Sequence, residues 1–160
     1  MFRLRRTRRI SSGTLLASKL FDQDTFYQAF LCDLENAKSQ VIIESPFITV
    51  KRVNVLMSVL QQLTNRGVRI TINTKPLAEH EPTYYKQAEE VIDRLQALGI
   101  LVLLTNGHHR KLAIIDKRIT WEGSLNILSQ NDSCEVMRHI YSEQLAGQTL
   151  DFLHLENFIG

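Results

Sequence analysis

Two short apolar runs in the second half of the chain constrain its fold most. Residues 112–115 read Leu-Ala-Ile-Ile and residues 119–122 read Ile-Thr-Trp-Glu, with the polar triplet Asp-Lys-Arg between them. A short apolar run is typical of a buried central strand, and the Thr and Trp of the second run favour a strand as well. The pattern therefore predicts a β-hairpin whose first strand lies inside a sheet.

Helical and β-rich segments alternate along the rest of the chain. The sequence predicts helices at residues 24–38, 53–65, 84–98 and 143–158. It predicts further strands at residues 40–44, 68–73, 100–105 and 134–140. This order predicts an α/β fold, a mixed, mostly parallel sheet sandwiched between helices, with parallel crossovers early and a hairpin late.

Length and composition allow a single folded domain. The chain has 160 residues, of which 44% are hydrophobic, and this is enough to bury a core. No apolar run approaches roughly eighteen residues, so no membrane contact is expected. Cys32 and Cys134 lie far apart, which predicts reduced, packed thiols in a cytoplasmic protein. No cofactor and no metal are expected, because no His, Cys, Asp and Glu cluster has metal-ligand spacing.

The positive charge is concentrated at the N-terminus. Residues 1–9 hold five of the nineteen basic residues and no acidic residue, so the remainder has fourteen basic against seventeen acidic residues. A basic arm of this kind would attract a phosphate-rich polymer, although a merely solvated terminus is an equally good interpretation. We predict a basic arm at residues 1–20 and a folded domain at residues 21–160.

Polar residues suited to an anion flank the predicted hairpin. His109 and Lys111 are two residues apart just before its first strand, so both side chains leave the same face of an extended chain. Gly123, Ser124 and Asn126 follow its second strand and offer a hydroxyl, a carboxamide and backbone N–H groups. The sequence therefore predicts a basic, hydrogen-bonding pocket at the edge of a strand.

The spacing of these residues resembles the signature of the phospholipase D superfamily. His109, Lys111 and Asp116 form H-x-K-x-x-x-x-D, and residues 123–126 form G-S-x-N. Residues 41–49 and 66–70 are also similar to that family, so the resemblance covers the chain from about residue 24 onward. The resemblance implies a phospholipase D-like fold. Within the superfamily, the chain resembles the short bacterial nucleases that carry a single motif.

The resemblance implies phosphodiester chemistry with named roles. His109 would be the nucleophile, because a neutral imidazole is competent near neutral pH without a metal. Lys111 would place a fixed positive charge on the phosphate, and Asn126 would donate to the same oxygens. The Ser124 hydroxyl and the N–H groups around Gly123 would add further donors.

Other candidate residues follow from the same resemblance. Glu135 would orient the imidazole through its far nitrogen. Asp116 belongs to the motif and is a candidate catalytic residue, although its odd offset from the histidine favours a role in the hairpin turn. His108 and Arg118, with Gly123, are candidate substrate contacts. Trp121 is expected to pack in the sheet. The polar loop 74–82 is expected to be a solvated connection, and the alternative is that it lines a substrate groove.

The number of motifs predicts the oligomeric state. Members of the family use two copies, in which one histidine attacks and the other protonates the leaving group. This chain has one copy, and no other histidine has a lysine two residues later. Two chains about a twofold axis would supply both histidines, so we expect a homodimer with one composite active site.

The predicted function is a metal-independent phosphodiesterase, an endonuclease that cleaves nucleic acid through a phosphohistidine intermediate at the composite homodimer site, with DNA favoured over RNA. One alternative keeps the chemistry and changes the substrate, as a phospholipase D-type lipid hydrolase or phosphatidyl transferase. The other is a non-catalytic nucleic-acid-binding module of a larger helicase or restriction system.

Overall fold

A seven-stranded sheet is the framework of the computed structural model, which describes residues 18–129, 133–155 and 158. Its strands are β1 (Ser18–Phe21), β2 (Gln40–Glu44), β3 (Arg69–Thr74), β4 (Leu101–Leu104), β5 (Leu112–Ile115), β6 (Ile119–Gly123) and β7 (Met137–Tyr141). The helices are α1 (Phe26–Glu35), α2 (Val50–Asn65), α3 (Pro82–Ala97) and α4 (Glu143–Leu153), with a 3₁₀ turn at Leu77–Glu79.

The strand order confirms the α/β fold and its mixed sheet. The strands lie in the order β1-β7-β6-β5-β2-β3-β4. The β2–β3 and β3–β4 pairs are parallel, while the other four described pairs are antiparallel. The expectation of a mostly parallel sheet was therefore wrong for the pairings. The β5–β6 hairpin inserts beside β2, and its short turn forces antiparallel pairing.

Local sequence signals set the ends of several helices. The Thr49 hydroxyl accepts from the N–H of Arg52 at the start of α2, and the Ser142 hydroxyl accepts from Leu145 at the start of α4. Gly67, with φ of 80°, follows α2 and adopts the left-handed conformation that often ends a helix. The first helix begins at Phe26 after Thr25, two residues later than the start predicted at residue 24.

Helices cover both faces of the sheet. One face packs against α1, α2 and α3 through a large apolar cluster that includes Phe30, Leu60 and Leu95. The other face packs against α4 through a small cluster of Ile42, Ile114, Ala146, Leu153 and Leu155. Unequal cover leaves part of the second face exposed near β1, where Leu20 is 60% exposed.

Trp121 confirms its predicted place in the sheet. Its side chain is fully buried, and its ring lies 5.0 Å from the ring of Phe21 and 5.1 Å from that of Phe26. The indole N–H donates to a carboxylate oxygen of Asp33 at 2.8 Å, so its polar atom is satisfied.

Three expectations about the periphery have different outcomes. Residues 1–17 lie outside the described residues, so the basic arm stays a prediction, although Ser18–Phe21 at its proposed end already form a strand. Cys32 and Cys134 are unpaired, but both are exposed, so the expectation of packed thiols was wrong. None of the helices in the described part of the chain is long and apolar enough to cross a membrane.

Candidate active site

The two halves of the motif meet at one end of the sheet. Lys111 immediately precedes β5, and Gly123 ends β6. The Gly123 N–H donates to the Lys111 carbonyl oxygen at 3.2 Å, because the start of one antiparallel strand lies beside the end of the other. Glu44, the last residue of β2, pairs with both Leu112 and Asn73, so the ends of β2 and β3 reach the same edge.

Gly123 is required by the close approach of β7. A Cβ at this position would lie deep inside the van der Waals radius of the Val136 carbonyl oxygen and 2.9 Å from Cα of Met137. The Ser124 N–H donates to the same Val136 oxygen at 2.9 Å. The N–H groups of Gly123 and Ser124 thus serve strand pairing, and a part for these residues in substrate binding stays a prediction.

His109 and Lys111 stand at the open rim of this edge. His109 is exposed, and the Lys111 ammonium donates to the His109 carbonyl oxygen at 2.9 Å. Lys111 also lines an open depression of about 450 Å³ with Arg110, Arg138 and a single acid, Glu122. Across the described residues, no three His, Cys, Asp or Glu side chains are grouped to hold a metal ion. The depression therefore presents mainly positive charge.

Glu135 reaches the motif through serine hydroxyls. The Ser124 hydroxyl donates to one carboxylate oxygen of Glu135, and the Ser133 hydroxyl donates to the other at 2.6 Å. The Ser124 oxygen in turn accepts from the N–H of Val136 at 3.1 Å, and the Glu135 N–H donates to Gln23. The structure thus brings Glu135 beside Ser124, and its action on His109 stays a prediction.

Asn126 turns into the protein. The segment after β6 is tied to the loop after β2, because the Leu128 N–H donates to the Ser45 hydroxyl at 3.1 Å and the Thr49 N–H donates to the Leu128 carbonyl at 2.8 Å. Asn126 is 9% exposed, and its Oδ1 has no hydrogen-bond partner within the described residues. An orphaned buried oxygen of this kind is uncommon and calls for a physical reason.

Behind the motif lies a buried acid–histidine pair that sequence reasoning missed. His108 Nε2 lies 3.2 Å from an oxygen of Glu44, whose side chain is fully buried. Asn73 donates to the other Glu44 oxygen at 3.1 Å, and Thr105 donates to Asn73. The visible signal was an acid ending an otherwise apolar strand.

The environment of this pair sets its protonation. Burial raises the pKa of Glu44, against the opposing effects of the Asn73 hydrogen bond and the Arg110 charge. Burial, reinforced by the Arg110 charge, lowers the pKa of His108 to about 4. His108 is therefore neutral near pH 7 and is buried against Glu44, and its role as a substrate contact stays a prediction.

Asp116 lies at the opposite end of β5 from His109. Its carboxylate accepts three backbone N–H groups and one hydroxyl, those of Lys38, Ser39 and Gln40 and of the Ser39 side chain. Partial burial would raise its pKa, but these hydrogen bonds together hold the pKa of Asp116 below its ordinary value. The residue fixes the chain entering β2, in agreement with the turn role, and its catalytic role is left to experiment.

Arg118 also lies at that distant end. Its guanidinium Nε lies 3.0 Å from a carboxylate oxygen of Glu143, the first residue of α4, and both side chains are exposed. The β5 strand separates this pair from Lys111. Arg118 therefore joins the hairpin turn to α4, and its role as a substrate contact stays a prediction.

Comparisons with known proteins give a family model and several similar folds. Residues 30–154 match the family model described as cardiolipin synthase, PLD-like domain. None of the curated proteins matches the chain by sequence. The fold is similar to Nuc from Salmonella typhimurium, a phospholipase D family member, with a TM-score of 0.71, 16% identity and cover of 89% of this chain and 95% of that chain.

Two further solved structures share the fold. NucT from Helicobacter pylori has a TM-score of 0.66 and 20% identity, with cover of 84% of this chain and 91% of that chain. TrmBL2, an archaeal chromatin protein with a novel mode of DNA binding, has a TM-score of 0.57 and 13% identity, with cover of 85% and 50%. At these identities the likeness is one of fold.

Proposed function

This chain belongs to the PLD-like domain family, whose model it matches over residues 30–154, and from that premise we propose that it is a phosphodiesterase cleaving nucleic acid. The observation that carries the proposal is the exposed His109, whose backbone carbonyl oxygen accepts from the Lys111 ammonium next to the end of β6. A nucleophile and a fixed positive charge at one rim are what attack on a phosphodiester requires. We favour DNA over RNA as the substrate, and cleavage within a strand over cleavage from its ends.

The proposed reaction has two steps. His109 attacks the phosphorus atom in line with the leaving oxygen, so that a P–N bond forms as the P–O bond breaks. Lys111 and Asn126 stabilise the charge on the non-bridging oxygens, and a second imidazole gives its proton to the leaving oxygen. That imidazole then deprotonates a water, which attacks the phosphohistidine and releases His109 and the phosphate end. No step requires a metal to activate the nucleophile.

The second imidazole would come from a second chain. The sequence carries one motif, and a twofold axis beside the His109 rim would bring two copies of the motif together. Glu135, held between Ser124 and Ser133, would lie close enough to the paired rims to orient an imidazole. The proposed unit is therefore a homodimer with one composite site.

Charge supports nucleic acid as the substrate. Residues 1–9 hold five arginines, and the depression beside Lys111 adds Arg110 and Arg138. Basic groups of this kind neutralise phosphates along a strand and make binding depend on salt without reading sequence. TrmBL2, which shares the fold, is an archaeal chromatin protein that binds DNA.

Phosphatidyl transfer is the second candidate function. The description of the matched family model names cardiolipin synthase, and the phosphohistidine chemistry would be the same. With a lipid substrate, an alcohol would attack the phosphohistidine in place of water and release His109. The arginine-rich residues 1–9 favour a polyanionic strand, so nucleic acid stands first.

Cleavage of labelled single-stranded and double-stranded DNA in excess EDTA tests the proposal. The wild type is expected to cleave and His109→Ala to be inactive, while His154→Asn should cleave normally. His154 is a matched control, because it is exposed after α4 and has φ of 51°, which Asn tolerates. DNA binding without cleavage would favour a binding module, and phosphatidyl transfer without cleavage would favour the lipid reaction.

A further inference from the structure

A cavity of about 300 Å³ lies on the inner side of Asn126, apart from the depression beside Lys111. The loop after β2 contributes Phe47 and Thr49, and the start of α3 contributes Tyr84 and the preceding Glu81. Its size is at the lower end of cavities that bind small organic groups. Of the residues that line this cavity, the cleavage chemistry proposed above uses Asn126 alone.

Two buried side chains in its wall each have an unpartnered acceptor. His80 is 7% exposed and Asn126 is 9% exposed, and both line the cavity. His80 Nε2 and Asn126 Oδ1 have no hydrogen-bond partner within the described residues. Burial lowers the pKa of His80, and its other nitrogen bonds the Lys75 backbone, so Nε2 of the neutral ring is an acceptor. The wall is therefore short of N–H donors.

Aromatic rings flank these acceptors. Phe47 is 36% exposed and Tyr84 is 50% exposed. The Phe47 ring meets the His80 ring edge-on, with centroids 6.2 Å apart, and the Lys75 ammonium lies 4.5 Å from the Phe47 centroid. Exposed rings held in this way offer flat surfaces on which another planar group can stack.

Hydrogen-bonding chemistry indicates which part of a nucleotide fits. The unpartnered groups in the wall are acceptors, and a phosphodiester has no N–H or O–H group to donate to them. An amino-bearing base supplies the opposite chemistry, since its ring stacks and its N–H groups donate to carbonyl, imidazole and carboxylate acceptors. Asn126 links this cavity to the rim, because it follows the Gly123–Ser124 turn beside Lys111.

We propose that this cavity receives a nucleobase next to the scissile phosphate, stacked on Tyr84 and Phe47 and hydrogen-bonded by His80 and Asn126. The proposal rests on the function proposed above and narrows it to unpaired strands. A base inside a duplex cannot enter the cavity without leaving its stack, whereas a single strand pays no such penalty. Single-stranded substrates are therefore preferred over duplexes.

Binding and cleavage of two matched oligonucleotides test this proposal separately from nuclease activity. One is a labelled single strand, and the other carries abasic sites around the cleaved position. Affinity is measured by fluorescence anisotropy in EDTA with the His109→Ala protein, and cleavage with the His109-intact protein. Both measurements are repeated after the substitutions Tyr84→Ala and Tyr85→Ala. Tyr85 is the control, because it is 40% exposed and does not line the cavity.

Loss of the base or of Tyr84 is expected to weaken binding roughly tenfold or more, and the two losses should not add. Tyr85→Ala should bind both oligonucleotides as the unsubstituted protein does. Base-dependent binding through Tyr84 without any cleavage would keep the cavity and overturn the nuclease. Cleavage with equal affinity for both oligonucleotides, or Tyr84→Ala indistinguishable from Tyr85→Ala, would overturn the cavity and keep the nuclease.

Discussion

The Gly123 N–H donates to the Lys111 carbonyl oxygen at 3.2 Å, so one ladder hydrogen bond joins the two halves of the motif. The same glycine passes so close to β7 that a Cβ would meet the Val136 carbonyl and Met137. Position of the motif and packing of the sheet therefore depend on the same backbone atoms. A change at this glycine should alter both.

Gly123→Ala is expected to lower the free energy of unfolding by about 1–3 kcal/mol, because β6 and β7 must move apart. Cleavage should fall as well, since the shift carries Ser124 away from Val136 and Glu135. Gly147→Ala is the matched control. Gly147 lies inside α4 with nothing within 4 Å of an added Cβ, so alanine should stabilise by up to about 1 kcal/mol. Urea unfolding and cleavage rates check both, and equal stability of the two variants would contradict the packing account.

Asp116→Asn is expected to cost about 1–3 kcal/mol of stability at neutral pH and to leave cleavage by the folded protein intact. The pKa of Asp116 is lower in the folded state, so its contribution is present above the ordinary Asp pKa and is lost as pH falls below it. The difference between wild type and variant should therefore shrink in acid. Urea unfolding at neutral and acidic pH measures this.

Asp93→Asn provides the charge control for that experiment. Asp93 is exposed on α3, and its loss should change stability by no more than about 0.5 kcal/mol. If Asp116→Asn abolished cleavage without loss of stability, Asp116 would belong to the chemistry after all.

His108→Gln is expected to weaken the dependence of stability on pH. The pKa of His108 is about 4 in the folded protein, so only the unfolded chain takes up a proton between the ordinary value of about 6.5 and that pKa. Stability from the neutral histidine is present above the ordinary value and is lost as pH falls. The raised pKa of Glu44 acts in the opposite direction in both proteins. Unfolding free energies at neutral pH and near pH 4 should show the smaller decline in the variant, and parallel declines would refute this role.

A composite site predicts how activity responds to mixing. Wild type and His109→Ala chains refolded together in equal amounts should give about a quarter of the activity of pure wild type, since only dimers with two intact histidines would act. Chains that act alone would give about half. Light scattering on the same samples should give a mass of two chains, and a single-chain mass in active protein would remove the composite site.

The sequence predicted the central part of the fold because its signals there are local. The β5–β6 hairpin is visible as two apolar runs around a polar triplet, and the predicted helix and strand order follows the same kind of pattern. The strand β1 was not predicted, because Ser18–Phe21 pair only with β7, at the far end of the chain. A short strand that pairs with a segment so distant in the chain has no recognisable hydrophobic pattern in its own sequence.

The candidate site was predicted in part for a related reason. Strand spacing placed His109, Lys111 and Gly123 together, and the structure has them on one rim. The same spacing raised doubt about Asp116, and the structure has it at the other end of β5. The pairing of His108 with Glu44 and the burial of His80 depend on tertiary packing between distant segments. A polar loop reads as solvated until the element that covers it is known.

The central position of β5 in the sheet also determines the stage of folding at which the candidate site forms. The strand pairs on one side with β2, from early in the chain, and on the other with β6, while β7 pairs with β1 from the start of the described residues. Closure of such distant segments is the slow step of folding. A nascent chain that ends at Gly123 lacks Ser124 and Asn126, and it has no β7 to hold the turn. The proposed site is therefore complete only when the last strands of the sheet have formed.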